Sequence, residues 1–113
     1  MKANELRIGN YYMSTDGSWI SQVTVNDLMA WSKGAIYGKE IPLTDEWLLK
    51  FGFQKIGANF RIMSKGFREF VLWFNHSSNC YEVKANNYFT EVKFIHNLQN
   101  IHFALTSEEL IIK

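Results

Sequence analysis

Proline and cysteine are almost missing from this chain: Pro42 and Cys80 are the single examples in 113 residues. One thiol cannot close an intrachain disulfide, so a disulfide-stapled scaffold is excluded and a reducing compartment is expected. With one proline, turns fall to glycine and asparagine. An excess of either charge is also missing, because 12 basic side chains face 11 acidic ones for a net charge of +1. That balance argues against a clamp that grips nucleic acid by net charge and against an acidic tail. No stretch approaches the roughly 18 apolar residues that cross a bilayer. The start, Met1 to Glu5, lacks the apolar region of a signal peptide. A cytoplasmic protein with no membrane partner is therefore expected, and the glycosylation-type triplet Asn75-His76-Ser77 carries no weight.

What the chain does have is apolar and aromatic substance. Hydrophobic residues make up 47% and aromatic ones 16%, with nine Phe, five Tyr and four Trp. Each ring buries about 150–250 Å², enough for one core, and residues 1–113 are read as a single domain. Pro42, the N-cap Thr44, the acidic pair Asp45-Glu46, Lys50 in the last turn and Gly52 just beyond mark a helix over 44–51. Leu98, Ile101, His102 and Leu105 recur at helical spacing and predict a second helix over 95–105, with Leu98, Ile101 and Leu105 buried. Between them, apolar runs at 53–56, 60–63, 67–74, 80–84 and 88–94 alternate with turn residues and predict antiparallel strands. Gly57-Ala58-Asn59 suits a three-residue hairpin loop. Upstream, Trp19 to Val25 and Ile36 to Ile41 read as strands, Asn26 to Trp31 as either a helical turn or a connection, and Leu110-Ile111-Ile112 as a packed tail or short strand. The expected fold is α+β: a twisted antiparallel sheet of about five or more strands with both helices packed on it.

Chemistry is sparse. A zinc site takes four ligands at workable spacing; His76 and Cys80 bracket one turn, and His96 and His102, six residues apart, face different sides of a helix. No nucleophile elbow and no phosphate-cradling glycine loop occurs. Cys80 opens a strand and reads as a small buried residue. The expectation is no catalytic residue, no metal and no cofactor, with an active site assembled from distant residues as the remote alternative.

One asymmetry stands out. No acidic residue lies between Glu46 and Glu69, while Lys50, Lys55, Arg61, Lys65 and Arg68 are all basic and are interleaved with Phe51, Phe53, Phe60 and Phe67. A basic, ring-bearing hairpin face attracts phosphates or an acidic protein surface; the plainer reading is a solvated outer face. Candidate partner-binding residues are Lys55, Arg61, Lys65, Phe67 and Arg68, with exposed members of Trp19, Trp31 and Trp47 as anchors.

Three blocks carry a resemblance: Met1-Lys2-Ala3-Asn4-Glu5-Leu6-Arg7-Ile8-Gly9-Asn10, Ile41 through Phe53, and His96-Asn97-Leu98-Gln99-Asn100-Ile101-His102-Phe103-Ala104-Leu105-Thr106. Together they resemble a family of small uncharacterised proteins of bacterial phages and mobile elements. The family's last block more often reads His-Gln-Leu-Gln-Asn-Leu-Tyr-Phe-Ala-Leu-Thr-Gly, from which Asn97, Ile101, His102 and Ser107 depart mildly. The resemblance brings no catalytic residues. It implies a protein that works in the host bacterial cytoplasm by binding and blocking host machinery, as inhibitors of RNA-guided CRISPR effectors do. The expected partner is a host protein or protein–RNA complex, the chain being a monomer or weak homodimer. The alternative is an RNA-binding accessory protein using the basic 50–68 strip.

Overall fold

A computed structural model describes residues 5–64, 67–85 and 87–113, without the side chains of 63, 64 and 67–69. Five strands form one antiparallel sheet in chain order: β3 (Gln54–Ile56), β4 (Asn59–Ser64), β5 (Phe67–Asn75), β6 (Cys80–Ala85) and β7 (Tyr88–Val92). β1 (Tyr11–Met13) and β2 (Ile20–Gln22) pair as a separate hairpin. Three helices complete the chain: α1 (Val25–Ser32), α2 (Asp45–Lys50) and α3 (Ile95–Thr106). The expected α+β architecture is present.

Register assigns the sheet's two faces. Phe60 lies opposite Leu72, Leu72 opposite Val83 and Phe74 opposite Tyr81, so their side chains share one face. That face meets Trp47, Leu48 and Phe51 from the α2 segment and Ile95 and Leu98 of α3 in one core. The other face carries the row Gln54, Arg61, Val71, Lys84, Phe89 and, beside it, Ile56, Asn59, Trp73, Glu82, Glu91. None of these residues belongs to either buried cluster, and among the described residues the helices α2 and α3 pack into the core on the opposite face.

The hairpin joins two cores. Adjacent strand residues point oppositely: Tyr11 packs on Trp47 and Phe51 in the main core, while Tyr12 turns to Leu6, Val23 and Trp31 in a smaller one. β1 is fastened from below by Gln99 of α3. Its Oε1 accepts from the Tyr11 N–H at 2.9 Å, and its Nε2 donates to the Leu110 carbonyl at 3.0 Å and to that of Gly9 at 3.3 Å. Asn100 continues the clamp, accepting from Arg7 Nε and Asn10 Nδ2 and donating to the Glu5 carbonyl.

α2 forms as its sequence predicts. Thr44 Oγ1 accepts from the Trp47 N–H, Asp45 and Glu46 lie in the first turn, and Gly52 takes φ +94°, open to glycine and strained for other residues. In α3, Leu98 is fully buried, but Ile101 and Leu105 are only half-buried, and the buried stripe runs instead through Ile95, Leu98, Gln99 and His102. The stripe is rotated because Gln99 must reach β1 and the tail.

Other expectations change. Asn26 to Trp31 is a helix, with Thr24 and Asp27 forming a reciprocal capping box. Ile36 to Ile41 is not a strand; its pairing is a lone bridge from Lys39 to Met13. The segment is occupied in closing the small core, where the Tyr37 carbonyl accepts from Trp31 Nε1 at 2.8 Å. Leu110–Ile112 forms no strand: Leu110 is buried, and the Ile112 N–H donates to the Tyr11 hydroxyl. The β3–β4 loop is two residues, not three, since Ile56 pairs with Asn59.

Candidate functional site

Among the described residues, the basic side chains of the sequence's middle, Lys50, Lys55 and Arg61, do not make one patch. Gln54 opposes Arg61 and Lys55 opposes Phe60, so Lys55 and Arg61 project from opposite faces of the sheet. Lys50 folds back on its own helix, 3.4 Å from Glu46 and over the Trp47 ring. Lys55 lies 3.9 Å from Asp45 and over the Phe60 ring. Lys65 lies outside the described residues, as do the side chains of Phe67 and Arg68. Of the proposed tryptophan anchors, Trp31 and Trp47 are buried and Trp19 is 49% exposed.

Lys55 borders a cleft of about 400 Å³ with Asp45, His76 and Tyr81. Asp45 holds it shut chemically, because its carboxylate accepts from the Tyr81 hydroxyl and pairs with Lys55. Burial, with Asp45 beside it, pushes the Tyr81 phenol above its ordinary value, so the phenol stays a donor. Residues from α2, β3 and β6 are thereby tied together, which is a fastening more than a reactive set.

The groups able to do chemistry elsewhere are similarly occupied. The Cys80 thiol donates to Glu91 Oε2 at 2.8 Å, and that bond raises its pKa, opposing the thiolate a nucleophile requires. Burial lowers the pKa of His96 and of His102. His102 Nδ1 lies 2.9 Å from the Glu108 carbonyl, while His96 stacks on Phe94 and its Nδ1 has no hydrogen-bond partner among the described residues. Among those residues no group of three His, Cys, Asp or Glu could hold a metal ion, and no helix is long and apolar enough to cross a membrane.

The uncovered sheet face is different in kind. Trp73 and Phe89 form a ring pair 5.8 Å apart, with Phe89 56% exposed on the edge strand and Ile56 52% exposed at the opposite edge. Val71 is buried between its cross-strand neighbours Arg61 and Lys84, whose long side chains flank it on the same face. Glu82 accepts from Trp73 Nε1 at 2.9 Å and from Asn75 Nδ2 at 3.1 Å, which orients the indole. The result is an apolar centre carrying both signs of charge: Arg61 and Lys84 in one row, Glu82 and Glu91 in the next.

Trp73 and Phe89 were not singled out as site residues in the sequence, although Val71 and Trp73 alternate with Phe70, Leu72 and Phe74 along β5. What was missing is which of the two faces the helices cover. Compared with known proteins, the chain matches no family model, no curated protein and no solved structure.

Proposed function

We propose that this chain is a non-enzymatic interaction protein whose docking surface is the uncovered sheet face. One observation carries the reading: a central antiparallel sheet leaves an aromatic pair, a buried valine and charges of both signs without a covering layer. Exposed rings interleaved with charges of both signs occur at protein-binding surfaces, where aromatic residues and Arg are enriched. The mixed signs favour a protein over RNA, since Glu82 and Glu91 would repel a phosphate backbone that Arg61 and Lys84 attract. Following the phage and mobile-element resemblance, the target is a host defence nuclease such as an RNA-guided CRISPR effector, and the chain inhibits it by occupying its surface.

The test is an interference assay in which target cleavage by a purified RNA-guided nuclease is measured with the wild-type chain and with the Arg61→Glu/Phe89→Glu variant. Inhibition by the wild type and its loss in the variant, at an unchanged melting temperature, is the expected result. Equal inhibition by both removes the sheet face from the reading. Absence of inhibition, with ribonuclease-sensitive capture of RNA by the wild type, replaces it with direct RNA binding.

A further inference from the structure

A second exposed aromatic site lies on the hairpin, away from the sheet face. Trp19 packs edge-on against Tyr12 at 5.8 Å, Tyr12 against Trp31 at 5.1 Å, and Trp31 against Tyr37 at 5.2 Å. This chain of rings is buried in its middle and open at both ends, where Trp19 and Tyr37 reach the surface. The two ends border one cleft of about 460 Å³ with Ser14, Thr15, Asp16 and Gly38. At Gly38, φ is +83° and a Cβ would stand 3.0 Å from the Tyr12 ring and 3.2 Å from that of Trp31, so only glycine lets the backbone lie against the rings.

The cleft has an electrostatic sign. Among the residues lining it, Asp16 is the charged one, with Lys39 following Gly38 in the chain and Asp27 behind the rings. Asp27 is engaged, accepting from the hydroxyls of Tyr37 at 2.7 Å and Tyr12 at 3.3 Å, which fixes both rings. Asp16 sits in the cleft wall. Its Oδ1 accepts from Ser14 Oγ at 2.7 Å, from the Ser18 N–H at 3.0 Å and from Ser18 Oγ at 2.7 Å. Those bonds, led by that from Ser14, hold its pKa down at about 2, so it is anionic at any physiological pH. All three converge on one oxygen, Oδ1.

We propose that this cleft binds a methylated or quaternary ammonium group, cradled by the faces of Trp19 and Tyr37 and neutralised by Asp16. The choice among cations follows from the acceptors. A guanidinium takes a carboxylate through two parallel bonds, and Oδ1 of Asp16 is already saturated. A primary ammonium brings three donors that need acceptors, and two polar groups of the wall are already engaged: Oδ1 of Asp16, and Ser14 Oγ, which donates to Asp16 and accepts from the Trp19 backbone N–H. A trimethylammonium group brings no donor at all. It needs only ring faces and a nearby negative charge, the arrangement of an aromatic cage. Trimethyllysine of a partner protein and a free amine such as choline share this chemistry.

Isotope-edited NMR titration of the full chain tests it. Choline and a trimethyllysine peptide are compared with the carbon isostere of choline, in which a tert-butyl group replaces trimethylammonium. Shifts of the Trp19 indole N–H and of the Asp16 to Ser18 amides are expected with the cations, at an affinity roughly tenfold above the isostere. Whichever cation binds more tightly identifies the source. Trp19→Leu, which keeps apolar packing on Tyr12 but has no ring face, should abolish the shifts, and Asp16→Asn should weaken binding severalfold. Equal binding of the isostere overturns the cation assignment. Cations that leave the Trp19 and Asp16 signals unmoved at tens of millimolar overturn the site. Unchanged amide positions at Val23 and Tyr12 in the variants show that the hairpin still folds.

Discussion

The two cores that meet at β1 are held by different physics. The sheet core is large and mostly aliphatic and phenyl: Leu48, Phe51, Phe70, Leu72, Ile95 and Leu98 are all fully buried there. The hairpin core has Leu6, Tyr12, Val23 and Trp31 as its buried members, and relies on ring contacts, a capping box and the Asp27 bonds. Dense apolar burial makes a cooperative unit, whereas a small core closed by polar bonds can open alone. The difference also sorts the surfaces. Among the described residues, both helices of the sheet lobe lie on one face and leave rings such as Phe89 exposed on the other, and the hairpin lobe leaves a cleft because four residues cannot enclose Trp19 and Tyr37.

The largest expected effect is in the sheet core. Leu98→Ala should lower global stability by about 2–5 kcal/mol in a denaturant titration. Leu105→Ala, at a half-buried position, should cost well under that. Equal losses would mean that the α3 stripe is not rotated towards Gln99. Trp31→Ala probes the other side of the comparison. A buried Trp truncation costs about 3–5 kcal/mol in a cooperative core, but a lobe that opens alone limits the global loss to its own opening energy. The expected readout is fast hydrogen exchange over residues 11–38 with protection retained in β4 to β6. A uniform loss of protection would show one cooperative unit and dissolve the distinction.

Most of the sheet lobe was legible in the sequence because its signals were local and agreed with one another. Thr44, Asp45, Lys50 and Gly52 each point to the same helix, and the alternation in β5 and β6 gives both faces. The hairpin lobe was legible only in part. Thr24 and Asp27 spell a capping box, yet the apolar residues around it give no clear stripe. The 36–41 stretch has strand composition but spends its backbone on Trp31 Nε1 and a single bridge to Met13. Of the basic strip, Lys55 and Arg61 are divided between the two sides of the sheet because side chains alternate along a strand while cross-strand partners share a face, and Lys50 lies on α2. The first and last blocks of the resemblance meet in space, with Arg7 and Asn10 bound to Asn100. Their work is to hold the fold, so they say little about a site.

Mild acid should act on the sheet lobe first. His96 and His102 both lie on α3, and burial depresses both below the ordinary 6.5. The unfolded chain therefore binds more protons than the folded one as pH falls below about 6.5, and stability is lost from there downward. Above that pH their contribution is complete. Asp16 and Asp27 of the hairpin lobe are also depressed, from 3.8, and so add an acid loss only at lower pH. Because the ordinary values, 6.5 for the histidines and 3.8 for the aspartates, are well separated, falling stability just below pH 6.5 should track the histidines. His96→Phe should flatten that part of the curve in thermal melts. An unaltered slope in both His96→Phe and His102→Phe would assign the loss elsewhere.

The smallest effect on stability should carry the largest on function. Phe89 and Trp19 each keep one ring contact at 5.8 Å, with Trp73 and Tyr12, and each exposes about half its surface. A half-exposed ring with one such partner should cost under about 1.5 kcal/mol on truncation. Phe89→Ala should therefore melt near the wild type, lose nuclease inhibition and keep the ammonium-dependent shifts of the Asp16 to Ser18 amides. Trp19→Leu should do the reverse, losing the shift and keeping inhibition. Sites with no shared partner tend to act independently, and the ring partners of these two differ: Phe89 packs on Trp73 of β5, Trp19 on Tyr12 of β1. The double variant should then show both losses with additive stability changes. If Trp19→Leu also abolished inhibition, hairpin and sheet would form one continuous docking surface, and the two regions would be two ends of a single site.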